Sequence, residues 1–469
     1  MTGRSPAESC QVSLLVPHPQ RTAVMVADGA PLLGSGAQPR QARLPTVWLS
    51  NEQPLVSDIL AAVDVVDSDT TVVLRQVMTS ASAAEDTGSR ERDEVTRLVV
   101  ECEAGAVAEP PPGWTWLDLD AQAIRRLEPE TSQAAVASWA RERAEGWSPV
   151  RPPWSRPGWS ARASTWMVER MAAGGRPAVG TPRQHQLWGL SVLLRAPAAD
   201  GDVYFKCGAD IFRQEAAVTQ ALARLMPDVM PEVIAVDERQ GWMLMRDLGA
   251  PELGEQEESL WSKGVVAHAG IQRSMLSRAG ELIRLGLPVR SLTGLATCVE
   301  EMSEDPALLQ RMPRRVRQRW LATSPTLVKS CLRLDAIGPG PSLVHGDFHP
   351  WNVVHDRETT RVFDWSDAAV SHPFVDLATY VFRTRDMSVR RGLVDAYVAA
   401  WSTAGRSAES LREAAALGLV VGTLYQVQTY RALLPTLMAN GADDDLADAD
   451  LDWINRTLTR HEQGLESPT

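Results

Sequence analysis

The segment from Leu343 to Asp367, LVHGDFHPWNVVHDRETTRVFDWSD, constrains this chain more than any other stretch. Two short apolar runs, Ser342–Val344 and Val362–Phe363, each predict a β-strand that delivers a carboxylate at or just past its end. Asn352 lies between the two runs as a third polar ligand. A hydroxyl nucleophile needs a carboxylate that orients it and takes its proton, and nucleotide phosphates need Mg²⁺ held by hard oxygen ligands. The layout therefore predicts a phosphoryl-transfer site.

The order and spacing of the polar positions add to this prediction. HGD at 345–347 is followed by an asparagine at 352 and then by DWS at 364–366. Protein kinases place H-R-D, an asparagine and D-F-G in the same order. The HGD form, with its asparagine five residues after the aspartate, resembles the aminoglycoside phosphotransferase and choline kinase branch of the protein-kinase-like fold. The competing interpretation is a pair of buried strand-end acids in an ordinary α/β domain, and the number of positions in register disfavours it.

The resemblance implies a role for each polar residue of this segment. Asp347 is expected to be the catalytic base, and Asn352 and Asp364 are expected to be the ligands of Mg²⁺. The later motif HPFVDLA adds Asp376, which in this family stabilises the catalytic loop. His345 is expected to support the same loop through hydrogen bonds rather than to carry a phosphoryl group.

Residues upstream of this segment predict a nucleotide site. In VYFKC, strand alternation places Lys206 where protein kinases aim a lysine at the α- and β-phosphates. Glu215, nine residues later in a helical pattern, is expected to fix that ammonium by an ion pair. The chain has no GxGxxG loop, and Ser191 is the candidate phosphate contact or an ordinary turn residue. Met245 is expected in the hinge that meets the adenine edge, and a plain core position explains it equally well.

Two groups of polar residues are candidates for the acceptor pocket. The first lies on a long predicted helix and comprises Tyr425, Gln426, Gln428, Tyr430 and Arg431. The second is an acidic run that comprises Asp443, Asp444, Asp445, Asp448, Asp450 and Asp452. Carboxylates at a helix N-terminus interact favourably with the helix dipole, and this explanation is sufficient for the acidic run.

The whole chain is predicted to be of the α+β class. A two-lobed protein-kinase-like fold, with a small antiparallel-sheet lobe and a larger helical lobe, follows a small α/β domain. The predicted limits are 10–144 for the N-terminal accessory domain and 145–158 for a Pro/Trp-rich linker. The kinase-like N-lobe is expected over 159–248, and the helical C-lobe with the catalytic loop over 249–464.

The accessory domain shows alternating β-type runs with few helices. The runs are Val12–Val16, Thr22–Val26, Pro45–Leu49, Thr70–Val77, Val95–Cys102 and Trp114–Leu119, and helical patterns appear near Val56–Val63 and over Ser132–Arg143. This pattern loosely resembles Nudix-like modules at the level of the fold, but the Nudix box is missing, so a hydrolase activity is not expected. In the linker, Trp147, Trp154 and Trp159 are expected to pin the chain against its neighbours.

Charge and cysteine usage exclude several classes of partner. The net charge is −12, from 59 acidic and 47 basic residues, which argues against nucleic acid and anionic membranes. The five cysteines form neither a CxxC pair nor a Cys/His cluster, so no disulfide scaffold or zinc site is expected. No apolar run approaches the length of a transmembrane helix, and the N-terminus lacks the pattern of a signal peptide. A cytoplasmic location is predicted.

Together these features predict a kinase that uses ATP and Mg²⁺ to phosphorylate a hydroxyl group of an amino sugar, an amino alcohol or a related metabolite. Two alternatives stay open at this point: a non-catalytic nucleotide-binding regulatory module, and a nucleotidyl- or protein-directed transferase on the same fold. The sequence leaves the oligomeric state and the choice between ATP and GTP undecided.

Overall fold

The computed structural model describes residues 10–27, 42–49, 56–66, 72–83, 95–104, 110, 113–128, 130–148, 151–356, 358–402, 407–439 and 447–464. The chain divides into two compact units. The first unit comprises Met1–Asp210 and Pro435–Ala447, and the second comprises Ile211–Leu434 and Asp448–Thr469. The domain limits given above remain predictions.

The N-terminal part of the first unit is built on a four-stranded mixed sheet. Its elements are β1 (Cys10–Leu15), β2 (Ala23–Ala27), β3 (Ala42–Arg43), β4 (Thr46–Leu49), α1 (Val56–Val66), β5 (Val72–Ala83), β6 (Val95–Ala104), β7 (Trp114–Asp118), α2 (Ala121–Ile124), β8 (Leu127–Glu128) and α3 (Glu130–Glu145). The sheet order is β4-β1-β6-β5, in which β1 and β6 are parallel and the other pairs are antiparallel. The strands β2 and β7 form an antiparallel pair, and β3 and β8 a parallel pair.

The central strands of this sheet are buried on both faces. Val12 and Leu14 of β1 belong to one apolar cluster, whereas Leu15 belongs to a second cluster on the opposite face. On β6, Val100 and Val99 divide between the same two clusters. The sequences of β1, CQVSLL, and β6, VTRLVVECEA, supply apolar side chains to both faces of the sheet. The strands β3 and β8 have two residues each and were not predicted.

The linker is fixed within the first unit by buried charges and tryptophans. Trp154 and Trp159 are almost fully buried, as the sequence predicts. The buried guanidinium of Arg151 forms ion pairs with Glu101 and Glu142. Breaking such a pair would leave a buried charge uncompensated, which is costly, so these ion pairs hold Arg151 in place.

The rest of the first unit is a helix followed by an antiparallel sheet. The elements are α4 (Trp159–Ala173), β9 (Arg183–Trp188), β10 (Ser191–Ala198) and β11 (Gly201–Gly208). The side-chain amide of Gln184 in β9 donates to the carbonyl of Leu74 at 2.8 Å and accepts from the backbone nitrogen of Leu74 at 3.0 Å. The side-chain amide of Gln184 therefore satisfies both backbone hydrogen-bonding groups of Leu74 in β5, as a neighbouring strand would.

The second unit is mostly helical. Its elements are α5 (Glu215–Leu225), β12 (Val233–Asp237), β13 (Trp242–Arg246), α6 (Ser262–Met275), α7 (Ala279–Arg284), α8 (Leu292–Glu304), α9 (Pro306–Arg311), α10 (Arg314–Ile337), β14 (Ser342–Val344), β15 (Val353–His355), β16 (Thr360–Val362), β17 (Ala369–Ser371), α11 (Leu377–Val381), α12 (Met387–Ser402), α13 (Ala408–Ala439) and α14 (Ala449–Gly464). The pairs β12–β13, β14–β17 and β15–β16 are antiparallel.

The ring of Phe348, in the catalytic segment, is stacked between two other buried rings. The ring of Phe348 stacks on His268 with centroids 4.0 Å apart, and on Tyr380 with centroids 4.5 Å apart. All three side chains are fully buried in the core of the second unit. A β-rich part and a helical part around one catalytic hairpin are thus both present, and the predicted α+β class is confirmed. Among the helices of the described residues, none has the length and apolar character to cross a membrane.

Candidate active site

The hairpin of β15 and β16 brings two predicted metal ligands close together. Val353 pairs with Val362 in its register. One position further out, the backbone nitrogen of Phe363 donates to the carbonyl of Asn352 at 3.1 Å. Asp364 follows Phe363 directly, so the hairpin places Asn352 and Asp364 at the same open end.

Asn352 is also connected to the predicted base. Its side-chain Nδ2 donates to the backbone carbonyl of Asp347 at 2.9 Å. Because the nitrogen and oxygen of an amide point in different directions, this bond leaves Oδ1 turned away from that carbonyl. The structure therefore brings together Asp347, Asn352 and Asp364, and their chemical roles are taken up below.

Gly346 has a conformation and a contact that a larger residue does not allow. Its φ of +85° lies in the left-handed region, which glycine adopts without steric cost. A Cβ at this position would lie 2.3 Å from the carbonyl oxygen of Asp367 and 2.8 Å from its Cβ. The glycine of the HGD motif is therefore required for the close approach of the catalytic loop to Asp367.

Asp376 anchors the same loop from the protein interior. Its carboxylate accepts from the backbone nitrogen of His345 at 2.8 Å and from that of Gly346 at 3.0 Å. The side chains of His268 and Gln272 hydrogen-bond to Oδ2 of Asp376 at 2.7 and 3.0 Å. These hydrogen bonds from two backbone nitrogens and two buried side chains fix the position of the loop.

His345 is buried in the protein interior and does not reach the exposed side of the site. Its Nε2 is 2.8 Å from the carbonyl oxygen of Phe363, and since a carbonyl only accepts, Nε2 carries the proton. The ring is fully buried and lies 4.7 Å from the ring of Trp365. Burial and the neighbouring His268 lower the pKa of His345, so the imidazole is neutral near pH 7. These contacts are those of a scaffold residue.

Asp347 presents its carboxylate to the solvent-accessible side. The side chain is 46% exposed, and its Oδ2 lies 3.4 Å from Nε2 of His349. Desolvation acts to raise the pKa of Asp347, but the hydrogen bond and charge of His349, with smaller effects of His345 and Arg383, outweigh it. The pKa of Asp347 therefore lies below its usual value, and the carboxylate is ionised near pH 7.

Asp364 has an unusual backbone. Its φ of +64° makes it the only non-glycine residue with positive φ in the described part of the chain. Such conformations cost about 1–3 kcal/mol and concentrate at functional sites. The hydroxyl of Ser366 donates to Oδ1 of Asp364 at 2.9 Å and to Oδ2 of Asp367 at 3.3 Å.

Asp367 is a site residue that the sequence analysis missed. Burial and the charges of Asp347 and Asp364 raise its pKa to about 7, against the lowering effects of Arg290 and Ser366. Three carboxylates thus influence one another at this site. The signal in the sequence is a third acid, three residues after Asp364.

The predicted nucleotide residues are divided between the two units. In the first unit, Lys206 is 7% exposed on β11 and pairs in register with Leu193, while Ser191 opens β10. In the second unit, Glu215 is buried at the first position of α5, and Met245 is half-buried on β13. Convergence of these side chains on one nucleotide remains a prediction.

Most of the acceptor candidates on α13 have structural partners. Nε2 of Gln426 donates to the carbonyl of Gly346 at 2.5 Å, which ties α13 to the catalytic loop. Gln428 accepts from Arg290 at 3.1 Å, and Tyr425 packs under the same guanidinium at 3.6 Å. Arg431 pairs with an acidic helix cap, as described below. The ring of Tyr430 lies 6.1 Å from that of Trp453 in α14.

The carboxylates of the candidate site act electrostatically on Tyr430. Burial raises the pKa of Tyr430, and the charges of Asp347 and Asp367 raise it further. A phenol that responds to both carboxylates lies near the catalytic segment.

The acidic run before and within α14 is used for ion pairs where the structure describes it. Arg311 donates to Asp448 at 2.9 Å and to Asp450 at 2.8 Å. Arg431 pairs with Asp305 at 3.3 Å. Asp452 is exposed in the first turn of α14. Asp443, Asp444 and Asp445 lie outside the described residues.

Fold and site together define a class of protein: an acid, an asparagine and a second acid on a kinase-like catalytic hairpin are the elements of phosphoryl transfer. Residues 209–414 match the sequence model of the APH family, described as the phosphotransferase enzyme family. The predicted family resemblance is confirmed over this segment, which contains the whole catalytic hairpin and Asp376. The prediction of a phosphotransferase enzyme is confirmed at the same level.

Several solved structures are similar to this chain at low identity. The macrolide 2'-phosphotransferase MphH from Brachybacterium faecium is 18% identical, with a TM-score of 0.46, and the alignment covers 63% of this chain and 98% of that one. A choline/ethanolamine kinase family protein from Mesorhizobium loti is 18% identical, with a TM-score of 0.46 and coverages of 65% and 98%. A thermostable mutant of aminoglycoside phosphotransferase APH(4)-Ia, in a ternary complex with ADP and hygromycin B, is 15% identical, with a TM-score of 0.41 and coverages of 63% and 98%. No protein of curated function matches the sequence.

Proposed function

We propose that this protein transfers the γ-phosphate of ATP to a hydroxyl group of a small molecule, with Asp347 as the base. The observation that carries this proposal is the grouping of Asp347, Asn352 and Asp364 at the open end of one hairpin. The match of residues 209–414 to a phosphotransferase family supports it separately. Amino sugars and amino alcohols are the acceptor classes that the resemblance implies.

The carboxylate of Asp347 is suited to orient an acceptor hydroxyl. It is ionised near pH 7 and about half exposed, so it can accept a hydrogen bond from the hydroxyl. As the new O–P bond forms, the hydroxyl proton passes to this carboxylate. Because the transition state of phosphoryl transfer is loose, positioning matters more here than the strength of the base.

The oxygen donors of this hairpin fit Mg²⁺. When bound, the ion neutralises charge on the phosphates. Oδ1 of Asn352 and the carboxylate of Asp364 would hold it, and the raised pKa of Asp367 reports negative charge that a cation would balance. In the described part of the chain, no three His, Cys, Asp or Glu side chains are arranged to hold a metal by themselves.

The residues that would hold the nucleotide are Lys206, Glu215, Ser191 and Met245. Lys206 would bind the α- and β-phosphates, and Glu215 would orient its ammonium. Ser191 would donate to a phosphate, and Met245 would pack against the adenine. A cytoplasmic location, where ATP is plentiful, completes the proposal.

Product analysis separates this proposal from its alternatives. The full-length protein is incubated with ATP, Mg²⁺ and a panel of hydroxylated amines, sugars and acids, and ADP release and acceptor mass are measured. A kinase raises the acceptor mass by about 80 Da, a nucleotidyltransferase adds a much larger increment, and a binding module leaves the panel unchanged. Asp347→Asn is expected to abolish the mass shift. An unchanged panel, or an increment of a nucleotide, would contradict the proposal.

A further inference from the structure

Four arginines, which we call the arginine patch, cluster on one side of the second unit: Arg383, Arg390, Arg456 and Arg460. The Cζ atoms of Arg390 and Arg460 lie 5.4 and 3.8 Å from the ring centroid of Phe382. Arg383 follows Phe382 directly in the sequence. The patch therefore combines the chain around the end of α11 with α12 and α14.

The patch continues to the candidate active site along one line of aromatic residues. The Cζ atom of Arg456 lies 4.8 Å from the ring centroid of Trp453, and the rings of Trp453 and Tyr430 are 6.1 Å apart. Tyr430 is the residue whose pKa responds to Asp347 and Asp367. The contacts therefore run from Arg456 to Tyr430, on which the charge of Asp347 acts.

A second connection runs through Trp351. The Cζ atom of Arg383 lies 5.9 Å from the Trp351 ring, and the rings of Trp351 and His349 are 6.1 Å apart. Trp351 is 38% exposed, and its ring lies so close to Gly254 that an added Cβ would be 2.4 Å away. A fixed and partly exposed indole thus lies between Arg383 and the His349–Asp347 pair.

The patch lacks the counter-charges that other arginines of the same unit have. Pairs with carboxylates are formed by Arg311 with Asp450 at 2.8 Å, Arg319 with Glu462 at 2.8 Å, Arg333 with Glu413 at 2.7 Å and Arg431 with Asp305 at 3.3 Å. Among the described residues, no carboxylate lies within 4.0 Å of a guanidinium of the patch. Burial and the charges of Arg390 and Arg456 lower the pKa of Arg460, which shows that like charges are crowded there. Cation–π contacts orient these groups but do not neutralise them.

We propose that the arginine patch binds a phosphate or carboxylate group of the acceptor, whose hydroxyl is presented to Asp347. The proposal rests on the kinase function given above and narrows the acceptor to an alcohol that carries an oxyanion, such as a sugar phosphate or a hydroxy acid. Guanidinium groups match both oxyanions through paired hydrogen bonds. A chain with a net charge of −12 repels large polyanions, so a local patch beside the site suits a small anion better than a nucleic acid.

Binding can be tested without turnover. Isothermal titration calorimetry measures the affinity of inorganic pyrophosphate for the full-length protein, with AMP-PNP and excess Mg²⁺ filling the nucleotide site. Arg456→Gln and Arg460→Gln are each expected to weaken binding by roughly 10- to 100-fold, because each removes a charge-assisted contact. Arg456→Lys keeps the charge and is expected to recover part of the loss. Arg333→Gln, on the paired and exposed Arg333, is the matched control and is expected to change nothing.

Turnover gives the second measurement. ADP release is compared for acceptors with one carbon skeleton: glucose, glucosamine, gluconate and glucose 6-phosphate. The oxyanion-bearing acceptors are expected to have the highest kcat/KM. Arg456→Gln and Arg460→Gln are expected to raise KM by roughly 10-fold or more while kcat changes little, because the patch binds the acceptor away from the transferred group.

The outcomes separate this inference from the proposed function. Pyrophosphate affinity that is equal in the parent, Arg456→Gln and Arg460→Gln would overturn the inference, even if amine or neutral acceptors are phosphorylated. Phosphorylation of a protein acceptor with no anion binding would overturn it as well. Patch-dependent pyrophosphate binding without ADP release from any acceptor would support anion binding and contradict the kinase.

Discussion

The main chain of Gly346 lies directly against that of Asp367: the Asp367 carbonyl oxygen is 2.3 Å from where a Cβ on Gly346 would be placed. This contact locks the loop that carries Asp347 to the segment that carries Asp364. The predicted base and a predicted metal ligand therefore keep a fixed separation, which is what phosphoryl transfer requires of its positioning groups.

Gly346→Ala tests this contact. Alanine at a left-handed φ, with a Cβ pressed against backbone, is expected to lower the free energy of unfolding by about 2–4 kcal/mol and to reduce kcat by at least about 100-fold. Urea denaturation and ADP release measure the two effects. Gly270→Ala is the control, since its Cβ meets nothing within 4 Å inside α6, and a gain of about 0.5–1 kcal/mol is expected. A Gly346→Ala protein as stable and active as the parent would contradict the account of the loop.

Asp376→Asn tests the anchor of the catalytic loop. The amide replaces one acceptor oxygen by a donor and so leaves one of the backbone nitrogens of His345 and Gly346 unsatisfied. The expected cost is about 1–3 kcal/mol in the free energy of unfolding, with a lower kcat. Asp395→Asn, at an exposed position of α12, is expected to change neither quantity. Equal effects of the two substitutions would show that Asp376 does not hold the loop.

Gln426→Glu tests the tie between α13 and the loop. The substitution places a carboxylate oxygen against the carbonyl of Gly346, where the parent donates a hydrogen bond. A buried acceptor without a donor costs about 1–3 kcal/mol, and kcat is expected to fall about 10-fold as the loop shifts. Gln310→Glu, at an exposed position of α9, is the matched control. Thermal denaturation and ADP release measure both variants. Equal stability and equal kcat of Gln426→Glu and Gln310→Glu would show that the hydrogen bond between Gln426 and Gly346 is unimportant.

Asp367 predicts a specific dependence of stability on pH. Its pKa is raised to about 7 in the folded chain, against about 3.9 when unfolded. The folded state therefore favours the protonated acid. Between about pH 4 and about pH 7 the unfolded chain loses this proton while the folded chain keeps it, so the free energy of unfolding decreases as the pH rises. Asp367→Asn removes this loss, so its stability relative to the parent is expected to increase between pH 5 and pH 8 by about 1–2 kcal/mol after solvent screening.

Urea denaturation without nucleotide or Mg²⁺ measures this difference at both pH values. A relative stability of Asp367→Asn that is the same at pH 5 and pH 8 would show that the acid is not under the repulsion of Asp347 and Asp364.

The polar positions of the catalytic segment were predictable because their order and spacing are local. Of the strands around them, β14 was predicted and the run Val362–Phe363 indicates β16, whereas β15, which pairs with β16 and brings Asn352 next to Asp364, was not predicted. The strands β1 and β6 were predictable as short β-type runs that contain Val and Leu.

The missed features depend on contacts between distant segments. Asp367 belongs to the site because its backbone meets Gly346, and no periodic pattern reports such a contact. Gln426 has its hydrogen-bond partner 80 positions away in the sequence, so its bond to the loop could not be predicted from its place among the polar residues of the long helix. The arginine patch combines the segments around 383–390 and 456–460. In the sequence these arginines look like ordinary surface charges, and only the fold shows that they lie together without a paired carboxylate in the part of the chain that the structure describes.

The most direct measurement of the central claim is the turnover of Asp347→Asn beside its affinity for ATP. With an acceptor that the parent phosphorylates, kcat of the variant is expected to fall by about 100- to 10,000-fold, whereas the Kd of Mg²⁺-ATP changes less than about 3-fold. Undiminished ADP release by Asp347→Asn, with a folded protein and normal nucleotide affinity, would contradict the assignment of this carboxylate as the base.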